Sequence, residues 1–161
     1  MKLKKLINKR NIQRAIILAC YPVWITLISQ VVYALSPKIN SIEKARKIFE
    51  QEKIKLGIEQ NVGLYVSFNN KLREVKDLRG ISVKNNNDYF IYINKCDLKK
   101  NILQHELYHV KKKEGFKGNT EIHTIDEVVK EVSQAKWKLP LKGMFISESR
   151  ANIYALTGLK L

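Results

Sequence analysis

Residues 81–113 read ISVKNNNDYFIYINKCDLKKNILQHELYHVKKK, and this run decides the architecture because a β pattern gives way to a helical one inside it. Residues 81–84 and 89–94 are rich in β-branched and aromatic side chains, and the tetrapeptide Asn85-Asn86-Asn87-Asp88 between them is turn-forming, so a β-hairpin is expected. Asp97 is a suitable N-cap for a helix running from Leu98 to about Lys113, with Gly115 and Gly118 marking its end. Leu103, Leu107 and Val110 make one apolar stripe on that helix, and Leu98 and Ile102 make another, so it is packed on two faces.

Working outward, residues 62–68 (VGLYVSF) have strand composition. Ser41 can cap a basic amphipathic helix in which Ile42, Ala45, Ile48, Phe49 and Ile54 recur up to Gly57. Downstream, Thr124 or Asp126 starts a helix that reaches Trp137 before Pro140, and a last helix begins near Ser147.

The helix after the hairpin carries His105-Glu106-Leu107-Tyr108-His109, an H-E-x-x-H pattern. At about 100° per residue, His105 and His109 stand about 40° apart one turn along, so both imidazoles can reach one metal ion. Glu106 is displaced enough to address a water on the metal instead of the metal itself. Burying two histidines and a glutamate without a partner is costly, which favours a site over a core role. A catalytic zinc needs a third protein ligand. Glu148, Asn152, Ala155 and Leu159 share a face of the last helix, with Ala151 beside it, and small residues there allow close approach to the histidine helix. Glu148 is a candidate for that ligand, with Glu127 its rival and His123 a further alternative. Asn152 can accept the Nδ1 hydrogen of a ligand histidine. A metzincin would carry Gly at position 112 and His at position 115, where this chain has Lys112 and Gly115, which excludes that class.

The first 34 residues have a separate logic. Six basic residues (Lys2, Lys4, Lys5, Lys9, Arg10, Arg14) and no acidic ones precede the run from Ala15 to Ala34, which is free of charge for 20 residues. As a helix such a run spans about 30 Å, a bilayer's hydrocarbon thickness. Three segments follow: 1–14, a basic N-terminal region; 15–34, a transmembrane anchor or signal peptide; and 35–161, the folded domain. Ser29-Gln30 and the Val-Tyr-Ala ending at Ala34 suit signal-peptidase cleavage, whereas Tyr21, Trp24 and Tyr33 suit an interfacial anchor. The positive-inside rule keeps the N-terminus cytoplasmic and sends the domain across the membrane, single-pass or, after cleavage near Ala34, secreted. The formal charge of +15 falls to +9 without the six N-terminal cations, and no nucleic-acid motif accompanies it, so nucleic acid is not an expected partner. Cys20 and Cys96 are too few for a disulfide scaffold and lack zinc-finger spacing.

The hairpin, the HELYH helix and the downstream Glu148-x-x-Ala151-Asn152 resemble the small gluzincin metallopeptidases, the minigluzincin group that includes the ImmA/IrrE-type family. The likeness covers about residues 60–160 in order of elements, and its specific part is the two short motifs. The resemblance implies an α+β fold in which a small mixed sheet or β-hairpin packs on an active-site helix with a C-terminal ligand helix, here preceded by a single transmembrane or signal helix. It also implies zinc held by His105, His109 and Glu148, with Glu106 as general base. Asn152 stands where gluzincins commonly have Asp, and their typical soluble members lack a segment like 15–34. The expected activity is hydrolysis of a peptide or protein substrate by a zinc-activated water, the peptide held against an exposed hairpin strand. His123, Tyr154 and Arg150 are candidates for stabilising the oxyanion. The alternative is a membrane-tethered basic binding protein with a structural or vestigial zinc site.

Overall fold

The computed structural model describes residues 33–75, 78–118, 121–135 and 150–155, together with 27, 30, 31 and 157. Helix α1 (Ile42–Leu56) begins at Ser41, whose side chain accepts from the Lys44 N–H, and stops at Gly57, whose φ of 62° suits glycine. Strand β1 (Val62–Ser67), a 3-10 turn (Lys71–Glu74), strands β2 (Gly80–Asn85) and β3 (Asp88–Asn94) and a second 3-10 turn (Lys95–Asp97) follow. Helices α2 (Lys100–Lys111) and α3 (Ile125–Gln134) come next, and residues 150–155 are helical again.

The three strands make one mixed sheet in the order β1-β3-β2. The expected hairpin is present: β2 and β3 pair antiparallel from Gly80 opposite Ile93 to Asn85 opposite Asp88, and Asn86 takes the left-handed turn at φ 50°. β1 lies parallel to β3 on its other side. Strand alternation then splits the interior in two. Val62, Tyr89, Ile91 and Ile93 face Phe49 of α1, Leu103 and Leu107 of α2, and Ala151 and Tyr154. Ile81, Val83 and Tyr92 face the opposite way, toward Leu72, Ile122, Val128 and Val132. The fold is α+β, with the histidine helix on one side of the sheet and α3 on the other.

One expectation changes. Asp97 does not cap the histidine helix: it is fully buried in the 3-10 turn, where Arg73, Tyr33, Asn94 and Cys96 all donate to its carboxylate. A carboxylate so surrounded is worth more as the centre of a polar cluster than as a cap. The cap comes instead from outside the helix, because Ser36 Oγ accepts the Asn101 N–H at 3.2 Å. The segment that supplies it is also tied to the domain by Ile39 N–H donating to Leu98 O at 2.9 Å.

Among the described residues no helix is long and apolar enough to cross a membrane. Residues 1–26, which include most of the charge-free run 15–34, lie outside the described residues, as does Glu148.

Candidate metal centre

His105 and His109 both sit on α2, which approaches β2 closely because that strand presents only Gly80, Ser82 and Lys84 on the α2 side. A Cβ placed on Gly80 would stand 3.1 Å from Ile102 Cγ2 and 3.4 Å from Glu106 Cγ, so glycine at the start of β2 makes room for the glutamate of the motif. Glu106 is itself buried.

The two imidazoles turn the same ring atom toward each other: His105 Nε2 and His109 Nε2 are 3.1 Å apart. Two nitrogens bound to one tetrahedral zinc at about 2.0–2.1 Å are separated by about 3.3 Å, so the pair is spaced for a shared ion. The remaining ring nitrogens are held by oxygen. Asn152 Oδ1 lies 3.1 Å from His105 Nδ1, and Glu114 Oε2 lies 3.1 Å from His109 Nδ1. An Nδ1 hydrogen donated to oxygen places the lone pair on Nε2. With both rings in that tautomer, the two Nε2 atoms are the ones left to face one another across 3.1 Å. Imidazole nitrogen is a ligand type that zinc takes, and the described residues supply two of them on one face of α2.

Asn152 comes from the helical segment 150–155, and its Oδ1 is the oxygen beside His105 Nδ1. Ala151 is fully buried beside it, which lets that helix come close. Glu114 is a residue that sequence reasoning missed. It follows α2 by three positions, and Lys113 in the left-handed region (φ 59°) turns the chain back so that Glu114 N–H also donates to His109 O at 2.9 Å. The only sign in the sequence is a carboxylate five residues past the second histidine.

The other candidates lie elsewhere. Glu127 completes a capping box at the start of α3, accepting from His123 N–H at 2.7 Å and Thr124 N–H at 3.0 Å. Those two backbone donors hold its carboxyl below the usual range. His123 is exposed, with Nε2 3.4 Å from Glu121 Oε2. Both belong to the region around Ile122 and Val128, across the sheet from α2, so neither joins the histidine pair. Tyr154 turns its hydroxyl to Glu52 of α1 at 2.8 Å, and burial pushes its pKa above the ordinary phenol value. That removes it as an oxyanion donor. Among the described residues, no group of three or more His, Cys, Asp or Glu side chains is arranged to hold a metal.

The hairpin edge near the site is narrower than a bare strand. Phe116 N–H donates to Ser82 O at 2.7 Å and Phe116 O accepts from Lys84 N–H at 2.9 Å, closing the outer half of β2. Strand alternation leaves Gly80 C=O and Ser82 N–H pointing outward at the end beside Glu106. No family model, no curated protein and no solved structure matches the chain.

Proposed function

We propose that this chain is a zinc-dependent metallopeptidase of the H-E-x-x-H type, attached to a membrane by residues 15–34. The observation that carries the reading is the paired geometry of His105 and His109, Nε2 atoms 3.1 Å apart and each Nδ1 against an oxygen. His105 and His109 would hold the ion, and Glu148 would be the third ligand. Glu148 precedes Asn152 by four residues, so in a continued helix it stands one turn from the asparagine that contacts His105.

His105 and His109 would hold a zinc ion that, when bound, would supply Lewis-acid polarisation of the scissile carbonyl and lower the pKa of a water to about 7. Everything else falls to the chain. Glu106 takes the proton of the attacking water and passes it to the leaving amine, a role suited to a carboxylate next to the ligands but not among them. Asn152 and Glu114 fix the imidazole tautomers and keep Nε2 basic. Gly80 C=O and Ser82 N–H offer an extended peptide a short stretch of β-pairing that ends at Glu106. The basic N-terminal cluster and charge-free run place the domain at the membrane, on the extracytoplasmic side by the positive-inside rule.

The test is the Glu106→Gln variant of the full chain, assayed against an unstructured protein substrate with zinc content measured in parallel. Zinc retained with cleavage lost by at least about a hundredfold is the expected result. Cleavage at the wild-type rate would refute the mechanism.

A further inference from the structure

The end of the charge-free run and the residues after it, 33–39, are built into the domain instead of hanging from it. Tyr33 donates its hydroxyl to Asp97 Oδ1 at 2.7 Å, and Asp97 is fully buried. Its ring lies between two cations, Arg79 Cζ at 3.7 Å and Lys99 Nζ at 3.9 Å from the centroid. Lys99 Nζ also donates to Tyr33 O at 2.6 Å. Three residues on, Ser36 Oγ receives the Asn101 N–H; Lys38 then bridges Lys99, and Ile39 N–H donates to Leu98 O. All of these partners from Asp97 to Asn101 belong to the turn that leads into α2 or to its first residues. Helix α2 has no side-chain cap of its own at Lys99, so the strap 33–39 does what a local N-cap would do.

We infer that Tyr33 clamps the N-terminal segment onto the start of the histidine helix, so that the segment stays covalently attached and sets the position of α2, where cleavage after Ala34 would destroy the clamp. Cleavage there removes the donor to Asp97 and the ring between Arg79 and Lys99. It also creates a new ammonium at Leu35, close to Lys99, where the cation now finds a carbonyl and an aromatic face. Residues 33–35 are helical, whereas a protease holds its substrate extended, so the bond after Ala34 is poorly presented as well as structurally committed. The strap reaches α2 at Asn101, and His105 is four residues further, about 6 Å along the helix axis. The clamp therefore acts one helical turn from the histidine pair, through the backbone of α2 and without touching either ring.

The inference does not rest on the metallopeptidase reading, and its test needs no metal. The full chain carrying a C-terminal tag is isolated from membranes, its N-terminus is determined by intact mass, and amide hydrogen exchange is compared for wild type, Tyr33→Ala and Tyr33→Phe. The wild type is expected to retain Tyr33. Tyr33→Ala should speed exchange at residues 100–103 by at least tenfold while leaving α3 amides within twofold. Tyr33→Phe, which keeps the ring between the cations and loses only the hydroxyl, should show a smaller acceleration at the same residues, and carries the comparison if the alanine variant does not fold. A wild-type N-terminus at Leu35 overturns the inference, as does unchanged exchange at 100–103 or an acceleration spread equally over α3 and the sheet. Absence of zinc binding would remove the enzyme reading and leave this result standing.

Discussion

At the scale of single residues, the site depends on how two imidazoles are oriented from behind. Helical spacing puts His105 and His109 on one face of their helix and Asn152 on a face of the last one; the structure has Asn152 Oδ1 3.1 Å from His105 Nδ1. The contact of His109 with Glu114 was not legible, because it depends on Lys113 adopting a left-handed φ of 59°, which lysine rarely signals. Asn152→Ala and Glu114→Ala should each weaken zinc affinity by about ten- to a hundredfold, measured by competition with a chelator, while Asn152→Asp, which keeps an acceptor, should stay near wild type. Gly80 is a second residue whose reason is visible only in three dimensions. Gly80→Val puts a branched side chain where a Cβ already meets Ile102 at 3.1 Å and Glu106 at 3.4 Å, and should cost about 1–3 kcal/mol in denaturant unfolding.

Among the elements, the hairpin, α1 and α3 follow from local chemistry, since each carries its own turn or cap residues. Ser41 and Thr124 open their helices and Gly57 closes α1 where the sequence puts them, whereas α3 stops at Gln134, short of the expected Trp137, with Ala135 already extended. The start of α2 was misplaced for a physical reason: Asp97 is a good N-cap by type, but four donors converge on it from Arg73, Tyr33, Asn94 and Cys96, and long-range partners override a local preference. The parallel pairing of β1 with β3 was likewise invisible, because nothing in the two strands alone distinguishes it from an antiparallel neighbour. Glu127 illustrates the same point in reverse, a candidate ligand whose function is to close a capping box. Glu127→Ala should lower stability by about 1 kcal/mol and leave zinc affinity unchanged, read by thermal unfolding and metal titration on one sample. A matching loss of zinc would return it to the metal site.

Across the whole molecule, the basic excess is unevenly placed along the chain. Six cations precede the charge-free run, and Arg73, Arg79 and Lys99 gather around buried Asp97 and half-buried Tyr33. Burial alone would raise the Asp97 carboxyl, but hydrogen bonds from Arg73, Tyr33, Cys96 and Asn94 outweigh it and hold the pKa at about 2. The unfolded chain titrates near 4, so this contribution is complete above about pH 4 and disappears as the pH falls through about 2. With Arg73 half-exposed, it amounts to about 1–2 kcal/mol. Stability measured by denaturant from pH 5 to pH 2 should fall steeply in the wild type and more gently in Asp97→Asn, which starts lower. An Asp97→Asn acid limb as steep as the wild type's would show that other carboxylates control it.

The proposed function requires a zinc ion shared by His105 and His109. X-ray absorption at the zinc edge on the full chain in detergent tests it directly, against the double variant His105→Ala with His109→Ala. One zinc per chain with two imidazole nitrogens at about 2.0–2.1 Å, lost in the double variant, is the result predicted. A wild-type chain that binds no zinc, or a double variant that binds it equally well, would contradict it.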